Sequence, residues 1–133
     1  MSPLKVVCIG GGTGLSTLLR GIKRHVATNG DAHSAVDMDR LTAIVSVSDD
    51  GGSSGQLRTD LGIPPPGDAR NCLVALSESE PLLEELFSYR FRDGSSLNGH
   101  SLGNLLLAAL YQMKGSFGES LQSAEQLLAL SGR

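Results

Sequence analysis

Two short β-branched runs each stop abruptly in a glycine cluster, and this repetition constrains the fold more than any other feature of the chain. Lys5 to Ile9 (KVVCI) runs into Gly10-Gly11-Gly12-Thr13-Gly14, and residues 41–47 (LTAIVSV) run into Ser48-Asp49-Asp50-Gly51-Gly52. Both runs are apolar on both faces, the pattern of strands buried in a parallel sheet. Between them Leu15, Leu18, Leu19, Ile22 and Val26 recur at helical spacing. Strand, helix and strand make a βαβ unit, whose crossover is right-handed in nearly all known cases. The two glycine-rich loops then leave adjacent strands at the same carboxyl edge, where open α/β sheets bind ligands. Residues 28–40 are polar without periodicity and are expected to be loop.

The rest of the chain reads as helices. Ser53 to Leu61 predicts a short helix closed by Gly62, followed by the rigid Pro64-Pro65-Pro66-Gly67 turn. Asp68 is then the expected N-cap of a helix with a narrow apolar stripe of Ala69, Cys72, Leu73 and Leu76. Ser79 is expected to cap a helix with Pro81 in its first turn and Leu82, Leu83, Leu86 and Phe87 facing inward. Residues 92–96 read as a turn. From Ser101 a helix is expected to present Leu102, Leu105, Leu106, Ala109, Leu110 and Met113 on one side. Ser116 and Glu119 form a capping-box pattern for a last helix ending near Gly132.

At 133 residues the chain fits one domain, residues 1–133. Two strands are too few for a sheet covered on both faces, so the expectation is the N-terminal portion of a longer fold, or a shortened gene product. Eleven basic against fourteen acidic residues leave no electrostatic footprint for nucleic acid. No apolar run approaches the roughly 20 residues of a membrane span, and the N-terminus lacks a signal-peptide pattern. Cys8 and Cys72 lie in segments of buried pattern without metal-ligand company and read as core hydrophobes in a reducing compartment. The expected location is the cytoplasm.

Four strings carry candidate chemistry. In the first, Gly11, Gly12, Thr13 and Gly14 turn a strand into a helix, presenting free backbone N–H groups and the positive end of the helix dipole to an anion such as phosphate. In the second, Asp49, Asp50, Gly51, Ser53 and Ser54 follow the second strand. Adjacent carboxylates before a Gly/Ser run suit a ribose, a base edge or a hydrated divalent cation, with Asp49 and Asp50 as the candidate Mg2+ ligands. An Asx-turn accounts for one of the two aspartates on its own. In the third, Asp68, Arg70 and Asn71 open a helix, and a cation at that end is disfavoured unless an anion lies nearby. In the fourth, His100 and Asn104 flank a helix start. A buried amide such as Asn104 needs partners, which a backbone carbonyl or a ligand base edge supplies.

The strings GGGTGLSTLLRGIK, IVSVSDDGGSSGQLR, PPGDARNCLVALS and GHSLGNLLLAAL, in this order and at these separations, resemble the YvcK-like branch of the family shared with CofD. The resemblance implies an α/β fold with a Rossmann-like three-layer parallel sheet flanked by helices. It implies a gluconeogenesis factor: a cytoplasmic regulatory protein that binds a nucleotide sugar of the UDP-N-acetylglucosamine type and acts in cell shape and cell-wall growth on gluconeogenic carbon sources. Cell-wall regulatory proteins and a second copy of the chain are the candidate macromolecular partners. The alternative is a CofD-like transferase that moves a phospholactyl-type group from a nucleotide-diphosphate donor with Mg2+. The matching residues include no activated nucleophile or obvious general base, which favours binding without turnover. A third reading treats every glycine cluster as a turn with no ligand.

Overall fold

The computed structural model describes residues 4–25, 36–78 and 81–129. Two parallel strands, β1 (Leu4–Gly10) and β2 (Val36–Val45), pair in register from Val6↔Leu41 to Gly10↔Val45. The helix α1 (Gly12–Lys23) connects them, giving the expected βαβ unit. Part of the segment expected to be loop is strand: β2 begins at Val36, well before Leu41, and ends at Val45 rather than Val47. Parallel pairing with β1 outweighs the polar sequence there, because Leu4 already finds its partner at Val36. Residues 26–35, including Val26 of the expected helix, lie outside the described residues.

Five more helices follow among the described residues: α2 (Gly52–Leu61), α3 (Gly67–Leu76), α4 (Pro81–Ser88), α5 (Leu102–Lys114) and α6 (Phe117–Ala129). The α/β class is as expected, but the described residues cover only one face of the two-stranded sheet. Cys8, with Val6, Leu41, Ala43 and Val45, packs against Leu15 and Leu19 of α1 and Cys72 and Ala75 of α3. On the other face Val7, Ile9 and Ile44 are exposed, Ile9 at 75%. The strand pattern is therefore apolar on both sides while the described chain supplies helices to one. The period-2 alternation of burial along β2 follows directly from the pleat.

Three helical expectations are corrected. Asp68 does not cap α3. The cap is Pro66, whose carbonyl accepts from Arg70 N at 2.8 Å, because proline's fixed φ of −87° already suits a helix start. The α3 stripe is not narrow either: Ala69, Arg70, Cys72, Val74 and Ala75 are all buried, because other elements surround the helix. In α4, Phe87 is the anchor and Leu83 packs behind it, whereas Leu82 and Leu86 point outward. The proposed cap Ser79 lies outside the described residues.

The buried face of α5 is also rotated from expectation, to Gly103, Asn104, Leu107 and Ala108. Ala109 and Met113 are exposed, and Leu102, Leu105, Leu106 and Leu110 are half-buried. Leu105 joins Leu57, Ile63 and Ala108, while Leu106 joins Val74, Phe87 and Leu128. Small and polar residues carry the closest contacts, so a count of large apolar residues finds the wrong phase. The caps at Ser101 and Ser116 form as the sequence indicates, with Asn104 N and Glu119 N each donating to a serine hydroxyl at 3.1 Å. Gly62 closes α2 as expected. The expected end of α6 near Gly132 falls outside the described residues.

The rotated α5 face sets two outcomes apart. Leu107→Ala, at a fully buried site, should cost about 2–5 kcal/mol in urea denaturation. Met113→Ala should stay within about 0.5 kcal/mol of the parent.

Candidate functional site: a cleft at the carboxyl ends of two parallel strands

The strand ends place the two glycine-rich loops side by side. Ser46 N donates to Gly10 O at 2.7 Å just as both chains leave the sheet. Gly11 caps α1 in extended backbone, and Gly12 follows with φ +63°, a conformation that side chains with a Cβ rarely adopt. The turn is fixed by its neighbours: Asp68 Oδ2 and Ser46 Cβ lie 2.9 and 3.0 Å from where a Cβ on Gly11 would stand. Gly11, Gly12, Thr13, Ser46, Ser48, Asp49, Asp68 and Asn71 line an open cavity of about 590 Å³. Strand ends β1 and β2 and the first turn of α3 therefore face one cleft.

A second, smaller cavity of about 190 Å³ adjoins it, sharing Asp49, Asp68 and Asn71. Its other walls include the start of α2 (residues 51–54), Gly67, Arg70, Arg90 and Asn104. Asp49 is fixed by an Asx-turn, its Oδ1 accepting from Gly51 N at 2.9 Å. Asp50 behaves differently. It pairs with Arg58 at the exposed surface of α2 and lines neither cavity, so the structure separates the adjacent carboxylates.

Beneath the cleft runs a buried polar chain. Arg70 Nε donates to Asn104 Oδ1 at 2.9 Å, Asn104 Nδ2 donates to Ser53 Oγ at 3.1 Å, and Ser53 Oγ lies 2.8 Å from His100 Nδ1. Ser54 Oγ accepts from Gly67 N at 2.9 Å. His100 is thus an interior link between α2 and the start of α5, and it lines neither cavity. Ser53, Ser54 and Asn104 serve the same network while reaching the wall of the smaller cavity. Gly14 lines neither cavity, and Thr13 O is taken up by the hydroxyls of Ser16 and Thr17. Gly103 lets the network close, because a Cβ there would run into Phe87 O and the aliphatic stem of Arg70.

Burial, and then the neighbouring charge of Arg90, push the Arg70 guanidinium below its ordinary pKa. Burial, and then the Asp68 carboxylate, raise the Cys72 thiol. Sequence reasoning missed Ser46, Ser48 and Arg90. The serines were visible as the polar end of the second strand run; Arg90 carries no local signal, because its place depends on an antiparallel bridge to Ser101. Among the described residues no three His, Cys, Asp or Glu side chains gather into a metal cluster, and no helix is long and apolar enough to cross a membrane.

A parallel βαβ unit with helices packed on it and a polar cleft outside its strand ends places the chain in the α/β class. The profile of the family described as 2-phospho-L-lactate transferase CofD matches residues 6–133, and the chain belongs to that family. It is 52% identical over its whole length to the gluconeogenesis factor of Halalkalibacterium halodurans, covering 38% of that protein. It is also 52% identical over 97% of its length to the gluconeogenesis factor of Bacillus subtilis, covering 37% of it. A Bacillus halodurans protein solved by X-ray crystallography superposes with a TM-score of 0.84 at 52% identity, over 99% of this chain and 39% of that one. The chain therefore spans less than two fifths of the relatives it matches, and its fold is a portion of theirs.

The network and the thiol each make a measurable claim. Asn104→Leu strands Arg70 Nε, leaves Ser53 Oγ with His100 alone, and should cost at least about 1–3 kcal/mol by chemical denaturation. Cys72 should resist iodoacetamide at pH 8 in the folded protein, read by mass spectrometry. Asp68→Asn should bring its alkylation to lower pH, because a negative neighbour that disfavours the thiolate is gone.

Proposed function

We propose that this chain forms part of a cytoplasmic regulatory protein that binds a nucleotide sugar of the UDP-N-acetylglucosamine type in the cleft between the two glycine-rich loops. The observation that carries the reading is the convergence of Gly11–Thr13, Ser46–Asp49 and Asp68–Asn71 on one cavity at the strand ends. A volume of about 590 Å³ is in the range of cofactor-sized sites, and its hydroxyl, carboxylate and amide groups suit a hydroxyl-rich ligand. Relatives 52% identical to this chain over the aligned stretch bear the name gluconeogenesis factor, which supports a role in growth on gluconeogenic carbon and, through the sugar nucleotide, in cell shape and cell-wall growth. Partners reading the bound state would be cell-wall regulatory proteins or a second copy of the chain.

The family description favours one further reading, a CofD-like transferase acting on a nucleotide-diphosphate donor. Mg2+ is commonly held by one or two carboxylates together with substrate phosphates. Asp49 and Asp68, both on the cleft, would fit that role, and Asp50, paired with Arg58, would not. The bound ion would supply charge neutralisation to the phosphates. The chain's own contribution would be to hold the donor against the strand ends.

Calorimetric titration of the full-length protein with UDP-N-acetylglucosamine, in magnesium and in chelator, with product analysis, separates these readings. Saturable binding without product is expected. Gly12→Ala places its Cβ in open space at the cleft and costs the fold only about 1 kcal/mol for the left-handed backbone. It should weaken binding roughly tenfold, the equivalent of about 1.4 kcal/mol. Cleavage of the donor would establish the transferase reading, and no binding in either buffer would remove both.

A further inference from the structure

The larger cavity holds two carboxylates, Asp49 and Asp68, and no cationic side chain among the residues lining it. The glycine turn alone offers an anion little there, since both carboxylates would repel it. The smaller cavity shares those two carboxylates but adds the guanidinium groups of Arg70 and Arg90 at its far wall. Arg70 is 7% exposed, and its terminal guanidinium nitrogens make no hydrogen bond or ion pair with any described residue, its one side-chain bond running from Nε to Asn104. Those nitrogens are not sealed in the interior, since among the described residues no fully buried side-chain polar atom lacks a partner. Arg70 is among the residues lining the smaller cavity. Arg90 lines the same cavity, held by donation from Nη1 to Gly99 O at 2.6 Å and by the bridge to Ser101.

A protein rarely buries one guanidinium without an anionic partner and then brings a second beside it. Both Arg70 and Arg90 have planar donor forks suited to phosphate oxygens. The first turns of α2 and α3 also face this cavity through Gly52, Ser53, Ser54 and Gly67, and add the positive ends of two helix dipoles.

The geometry points to Arg70 and Arg90 as the subsite for the phosphate groups of the ligand, with the carboxylate-lined glycine pocket receiving its hydroxyl-bearing part. This assignment rests on the cleft being the ligand site, as proposed above, and fixes the direction in which a diphosphate ester lies along it. It reverses the expectation that the first glycine loop holds the phosphates. Asp49 and Asp68, at the junction of the two cavities, then accept from ligand hydroxyls and keep the diphosphate from sliding towards Gly12.

The test uses pyrophosphate as the probe, titrated in chelator at fixed ionic strength into the full-length protein, alongside UDP-N-acetylglucosamine. Parent protein should bind pyrophosphate, and the two ligands should compete. Arg90→Gln, at an exposed position, and Arg70→Lys, which keeps the charge but loses the fork, should each weaken pyrophosphate binding roughly tenfold or more. Circular dichroism and the denaturation midpoint check that both variants fold, and Arg90→Gln alone suffices if Arg70→Lys does not. No pyrophosphate binding by the parent, or binding that survives Arg90→Gln unchanged, overturns the subsite. Arginine-dependent pyrophosphate binding without any affinity for the nucleotide sugar upholds the subsite and removes the nucleotide-sugar reading instead.

Discussion

The amide of Asn104 is the contact on which the cleft depends. It accepts from Arg70 on α3 and donates to Ser53 on α2, while its own backbone N–H is capped by Ser101. Three helices are thereby tied at their N-terminal ends around one side chain that is only 2% exposed. Every member of the chain from Arg70 to His100 has a partner, and a buried polar network contributes to a unique structure only when it is fully satisfied. The apolar clusters around Ala108 and Phe87 bring the helices together. The amide decides which ends meet.

That arrangement separates structural from exposed polarity within single motifs. Asp49 turns into the cleft through its Asx-turn while Asp50 turns out to Arg58. Ser54 secures the backbone of Gly67, whereas Ser46 and Ser48, hydrogen-bonded to each other at 2.7 Å, stay on the cavity wall. The consequence is a cleft with carboxylates and hydroxyls at one end and two guanidinium groups at the other, Asp49 and Asp68 standing at the junction. A ligand with hydroxyls at one end and phosphates at the other matches it better than one that is uniformly anionic.

The sheet sets a second constraint. Parallel strands are stable when both faces are covered, and here Val7, Ile9 and Ile44 leave one face apolar and exposed. The chain matches under two fifths of its relatives' length, in keeping with a fold of which this is one portion.

Local sequence determined what local physics controls. The β-branched runs and the glycine clusters specified the βαβ unit and put both loops on one edge, because strand direction and crossover hand leave no other placement. Ser101, Ser116 and Gly62 marked helix ends, since a cap depends on neighbours three or four residues away. What needed the tertiary structure was every choice between sides. The buried face of α5, the role of His100 and the approach of Arg90 to Arg70 depend on contacts across long stretches of chain, and Asp49 and Asp50 part because one turns to Gly51 N and the other to Arg58. The periodicity of α5 misled because Gly103, Asn104 and Ala108 make its closest contacts, and none of them registers as a large apolar residue. Strand 36–40 was hidden for a related reason: its pairing with β1, rather than its own composition, makes it a strand. The sequence alone specified that the two glycine-rich loops and the start of α3 meet at the cleft, but not that Arg90 joins them. Packing between distant helices decided which atoms face it, because burial and hydrogen-bond satisfaction are properties of the assembled interior and not of any one segment.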